Sequence, residues 1–191
     1  YNANVSNGVN FGTGKPNGGW TVSTGNNIEI GLRAKNYGSS LIPPETGTGI
    51  YDTTTGISPL NANRAIWSWE FSIENLALGG TLAGDTGLLT ITNKAGTTIT
   101  FDVLSPLFGN APVNSTTVQQ NSENMMFASI SLPDYNPWYG DSYTFSLVVK
   151  DSNNSILGTD AITVNAVPEP VSLALFGMGL VGLGAARNQR R

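Results

Sequence analysis

Up to about residue 166, apolar and polar positions alternate along the chain with the period of two that marks β-strands. The cleanest stretch is Ile66–Asn75, in which Trp67, Trp69, Phe71 and Ile73 fall on one face and Ser68, Glu70, Ser72 and Glu74 on the other. The pattern predicts a strand with a buried apolar face and a solvated polar one. Leu89 and Ile91 alternate, Asn93-Lys-Ala-Gly96 interrupts, and Ile99, Phe101 and Val103 resume, which predicts a β-hairpin. A second hairpin follows from Phe145, Leu147 and Val149, a turn at Asp151–Asn154, and a return arm from Ile156 to Val164. Weaker strands are expected at Trp20–Val22, Ile28–Ala34 and Met126–Leu132, giving about eight in all. Residues 36–63, rich in Gly, Pro, Ser and Thr, read as a long surface loop. No amphipathic helix precedes residue 170. Strands with one apolar face must bury it against a second sheet, so the expected fold is all-β, an antiparallel β-sandwich with a jelly roll as the alternative.

The pattern changes abruptly at residue 167. Val167-Pro168-Glu169-Pro170 is followed by sixteen uncharged residues, Val171–Ala186, and then by Arg187-Asn-Gln-Arg190-Arg191. Proline disfavours continuation of the last strand. The apolar run is expected to form a hydrophobic α-helix about 24 Å long, short of the ~30 Å hydrocarbon core and so a marginal span. Its arginines would stay on the cytoplasmic side. The chain thus divides into a sandwich domain over residues 1–166 and a tail over residues 167–191.

The order Pro168-Glu169-Pro170, Gly-rich apolar helix and Arg cluster resembles the PEP-CTERM sorting signal of exported Gram-negative bacterial proteins. The resemblance covers about 25 residues. It implies that an exosortase recognises the motif and processes the tail, and that the protein accompanies exopolysaccharide or biofilm production. The opening Phe11-Gly-Thr-Gly-Lys-Pro-Asn-Gly-Gly-Trp20 is similar to uncharacterised members of the same group, and brings no activity with it.

Composition narrows the chemistry. There is no Cys, which removes disulfides, thiolate metal sites and cysteine nucleophiles. There is no His, which removes the commonest general base and the middle member of a Ser-His-Asp triad. Residues 1–170 carry six basic and thirteen acidic side chains. Such a body offers no clustered positive field, and nucleic-acid binding is excluded. Low charge with abundant Gly, Asn, Thr and Ser suits an exported β-protein. Tyr1 is not an initiator Met, consistent with a removed secretory signal or a trimmed chain.

Each remaining motif has a structural and a functional reading. Gly177-Met-Gly179-Leu-Val-Gly182 fits the GxGxxG pattern, but it lacks the preceding strand and the downstream acid that a dinucleotide site needs. Ser172, Gly179, Gly182 and Ala186 instead align on one helical face. Such a stripe permits close helix packing, or marks tolerance of small residues in a membrane segment. Glu70 and Glu74 lie four apart on a strand, about 13 Å, too far for a glycosidase pair. Asp151, Asn153 and Ser155 have the odd spacing of a Ca²⁺ loop without its Gly and bidentate Glu, so a hairpin turn is expected, with surface Ca²⁺ as the alternative. No other cofactor is expected. The segment Asp134–Asp141 holds Tyr135, Trp138 and Tyr139 between Pro and Gly, either as a sugar contact or as a loop packed on the sandwich edge.

Together these readings predict a non-enzymatic surface or extracellular-matrix protein, sorted through transient membrane contact of its tail. Tail packing or strand exchange would join copies into a filament or homo-oligomer. A carbohydrate-binding module for exopolysaccharide is the alternative.

Overall fold

The computed structural model describes Val5 and residues 18–39, 41–105, 108, 117–130 and 132–169. Among these residues there are twelve strands and no helix. The expected tail helix over Val171–Ala186 lies outside them.

Two sheets face each other. One has four antiparallel strands in the order β1 (Thr21–Gly25), β2 (Ile28–Asn36), β7 (Trp67–Asn75) and β10 (Val118–Asn124). The other has six: β3 (Glu45–Gly47), β4 (Ile50–Thr54), β12 (Ile156–Val167), β11 (Asp141–Lys150), β8 (Thr86–Asn93) and β9 (Thr98–Asp102). A small ribbon of β5 (Ile57–Ser58) and β6 (Asn61–Ala65) stands apart. The sandwich is therefore as expected, but it is not wholly antiparallel, because β4 runs parallel to β12.

The core follows the period-two pattern. Ile28, Ile30, Leu32 and Ala34 of β2 and the four apolar residues of β7 meet Tyr143, Phe145, Leu147 and Val149 of β11. Aromatic rings fill the centre, with Trp69 packed 5.4 Å from Phe145 and Trp67 set edge-on to Phe145 at 6.3 Å. Both predicted hairpins form. Gly96 closes the first turn at a φ of 87°, and Asn154, at 65°, closes the second. Asp151 Oδ1 accepts the amides of Asn153 and Ser155 at 2.9 and 2.8 Å, the capping role expected of a turn aspartate.

Three expectations fail, each for a physical reason. Residues 36–63 are not a surface loop: they carry β3 to β6, and Tyr51 of β4 is fully buried. These strands are short and mostly polar, and β4 is held by pairing with a strand more than a hundred residues away. The strand expected at Met126–Leu132 lies earlier, at Val118–Asn124, and Met125–Met126 begins a turn. β10 reads Val-Gln-Gln-Asn-Ser-Glu-Asn, so its side chains are ordered by hydrogen bonds rather than by an apolar face. Asn121 donates to the Phe108 carbonyl at 2.8 Å. Asn124 donates to the carbonyls of Ala65 and Trp67 at 3.0 and 2.9 Å, and accepts the Ala65 amide at 3.0 Å.

The third failure concerns the polar face of β7. Ser68, Glu70 and Ser72 are buried, not solvated. In register with them on β2 stand Lys35, Arg33 and Gly31, and on β10 Asn124, Ser122 and Gln120. Trp20 and Val5 cover part of this face, and the absence of a side chain at Gly31 makes room for both: a Cβ there would lie 2.7 Å from Val5 Cγ1 and 3.0 Å from the Trp20 ring.

Candidate functional site

The buried polar face of the four-stranded sheet holds the densest charge cluster among the described residues. Arg33 stands directly opposite Glu70, donates from Nε to Glu70 Oε2 at 2.6 Å, and pairs with the same oxygen through Nη2. Lys35 Nζ lies 3.3 Å from Glu70 Oε1. The guanidinium also donates to the Gly18 carbonyl at 2.7 Å and stacks 4.2 Å from the Trp20 ring centre. Burial lowers the Arg33 pKa, and the neighbouring Glu70 opposes that shift. Glu70 is 0% exposed among the described residues, so the ion triad is closed off from solvent there. Sequence reasoning missed it. The available signal was Arg33 and Lys35 alternating with apolar residues on one strand, with Glu70 doing the same on another.

A more open arrangement occurs where the last strand leaves the sandwich. Ala166 is buried, and the Val167 carbonyl accepts the Thr55 amide at 3.0 Å. Pro168 rests against Gly140, where a Cβ would come within 2.7 Å of Pro168 Cδ. Pro168 and Glu169 are exposed. Pro170 lies outside the described residues, as do Ser172, Gly179, Gly182, Ala186, Arg187, Arg190 and Arg191.

The segment preceding Gly140 is the aromatic loop, which separates into two parts. Tyr135 turns inward, with its ring 5.7 Å from Tyr143, and burial raises its pKa. Trp138 and Tyr139 turn outward, at 63% and 71% exposure. Backbone contacts fix the loop: Gly56 N–H donates to the Pro137 carbonyl at 2.6 Å, and Asn136 Oδ1 accepts the Trp138 amide at 2.9 Å. Trp138 Cζ3 passes 3.8 Å from where a Cβ on Gly56 would stand. The three aromatics named from the sequence therefore do not all face outward.

Beside this loop a groove of about 540 Å³ crosses the ends of β4, β12 and β11, lined by Asp52, Lys94, Gly140, Asp141, Ser142 and Asn165. Three of these form a row across adjacent strands. Ser142 Oγ donates to Asn165 Oδ1 at 2.8 Å, and Asn165 Nδ2 donates to Asp52 Oδ1 at 2.9 Å. Sequence reasoning gave no sign of the row, because its members lie on three strands brought together by non-local pairing.

Elsewhere two buried carboxyls are shifted by their surroundings. Burial pushes Glu123 of β10 up to about 7. Asp160 of β12 is likewise pushed up to about 7 by burial, partly offset by hydrogen bonds from the Ala161 and Leu32 backbone.

Comparison with known proteins places the C-terminal corner in a family context. No curated protein matches the chain. A solved structure described as "X-ray structure of Northeast Structural Genomics Consortium target SoR45" is similar at 14% identity and a TM-score of 0.31, over 77% of this chain and 92% of that one. The family model of the PEP-CTERM protein-sorting motif matches residues 166–191, starting at the last buried residue of β12. With that match the chain carries the sorting signal of an exosortase-handled protein exported in Gram-negative bacteria.

Proposed function

We propose that this is a non-enzymatic structural protein of the cell surface or extracellular matrix, a β-sandwich displayed through its C-terminal motif and joined to further copies as a homo-oligomer or filament. The observation that carries this reading is the continuity of sandwich and signal. The matched motif begins at Ala166 inside the sheet, and Pro168 is clamped against Gly140. The described chain therefore runs from the last strand straight into the motif as far as Glu169. The sealed Arg33–Glu70–Lys35 triad supports a structural rather than a catalytic use of the charged residues. Deleting residues 170–191 tests the reading. The sandwich should keep its thermal midpoint, because every described core residue is kept. Cell fractionation should find the protein displaced from its normal compartment, and electron microscopy should find its assemblies lost. Unchanged assemblies in the truncated protein would refute tail-mediated joining.

A second reading, a carbohydrate-binding module at the cell surface, draws on the exposed Trp138 and Tyr139. Large exposed aromatics on a fixed loop are a common mark of a contact surface.

A further inference from the structure

We propose that the row Ser142–Asn165–Asp52 and the exposed aromatics Trp138 and Tyr139 form one binding groove for a neutral glycan chain, an inference that rests on the carbohydrate-binding reading. Gly140 joins the two parts, since it lines the groove and directly follows Tyr139. Consecutive Cα atoms are about 3.8 Å apart, so the Tyr139 backbone adjoins the groove, and Trp138 reaches Gly56, whose neighbour Thr55 is bonded to Val167 of the groove wall.

The chemistry of the lining selects the ligand class. A sugar ring presents C–H faces that pack on aromatic rings and hydroxyls that both donate and accept. The row offers a hydroxyl, an amide and a carboxylate in sequence, already oriented by their mutual bonds at 2.8 and 2.9 Å. Their positions on paired strands make the row rigid, which limits the ordering cost of binding. It spans two strand spacings, about 10 Å, on the order of two sugar rings.

Charge decides against acidic ligands. Among the described residues Asp52 and Asp141 line the groove with Lys94 as the single cation. A uronic acid polymer, a phosphate chain or a nucleic acid would meet like charge there. The groove lies on a sheet face across strand ends, so it does not offer the free strand edge that captures an extended peptide.

Tryptophan fluorescence gives a selective readout. Trp20, Trp67 and Trp69 are buried, and Trp138 is exposed. The full chain is titrated with cellohexaose, maltohexaose, xylohexaose and mannohexaose, with a galacturonic acid hexamer as the acidic counterpart, and affinities are measured by calorimetry. At least one neutral hexasaccharide is expected to bind, to shift the emission and to shield it from acrylamide quenching. Trp138→Ala should abolish the optical response and weaken binding by about tenfold or more. Asn165→Ala should weaken binding by calorimetry while leaving the optical response at saturation. Circular dichroism checks that each variant is folded, and Tyr139→Ala replaces any that is not. Failure of all four neutral chains, preference for the acidic one, or binding that survives both substitutions would overturn the proposal. Export and assembly are read separately, so failure here leaves the structural role standing.

Discussion

Glu70 shows how much one side chain can depend on its neighbours. Taken alone it is an acidic residue on the polar face of an alternating strand, a position that ordinarily meets water. Here it is fully buried and compensated by Arg33 and Lys35. An ion placed in the interior loses its hydration, and is tolerated only while its partners remain. Arg33→Met should therefore destabilise the fold by about 3 kcal/mol, leaving Glu70 with Lys35 alone. Glu70→Leu should cost more, because it removes the carboxylate that Arg33 and Lys35 share. Urea denaturation of both variants checks the order. Equal midpoints for the variants and the parent would show that the triad contributes nothing.

Among the elements, β12 does the most. It pairs with β11 on one side and β4 on the other, then passes into the sorting motif. Its end is held by the Thr55 amide and by contact between Pro168 and Gly140. Gly140→Val would drive a branched side chain into Pro168 and toward the Ala166 carbonyl, 3.3 Å from the Cβ position. Such overpacking typically costs about 1–3 kcal/mol. The effect should be local, with faster hydrogen exchange at the Thr55 amide and little change at the core amides of β7. Uniform loss of protection across both sheets would contradict this placement.

For the whole molecule, the buried carboxyls set the pH response. Glu123 and Asp160 are held up to about 7 by burial, against ordinary carboxylate values near 4. Each binds its proton more tightly folded than unfolded. Their contribution is fully present below the unfolded value, declines as pH rises through about 7, and is gone above it. The sandwich should accordingly be more stable at pH 5 than at pH 8, by on the order of a few kcal/mol. Urea midpoints across that range measure it, and Glu123→Gln with Asp160→Asn should flatten the profile. A profile that rises with pH in the parent would contradict the burial of these two groups.

Much of this was legible from the residues. The period-two runs in β2, β7, β8, β11 and β12 determined an all-β sandwich and its core, because a strand with one apolar face has to bury it. Turn residues placed both long hairpins, since Gly and Asn tolerate the positive φ required there. The motif at residues 166–191 was readable because a sorting signal is a linear pattern. Other features were decided only by the tertiary structure. β4 and β10 are polar or short and become strands through partners distant in sequence, so local periodicity carries no trace of them. The same holds for the candidate site: Trp138 and Tyr139 stood out as aromatics in a Pro/Gly loop, but Tyr135 was drawn into the core by Tyr143. The row Ser142–Asn165–Asp52 exists because antiparallel β11–β12 and parallel β12–β4 pairing bring three separate strands into register. Alternation determines which way a side chain points on its own strand, whereas its neighbours, and hence whether a polar face is wet or buried, depend on the pairing of the sheet.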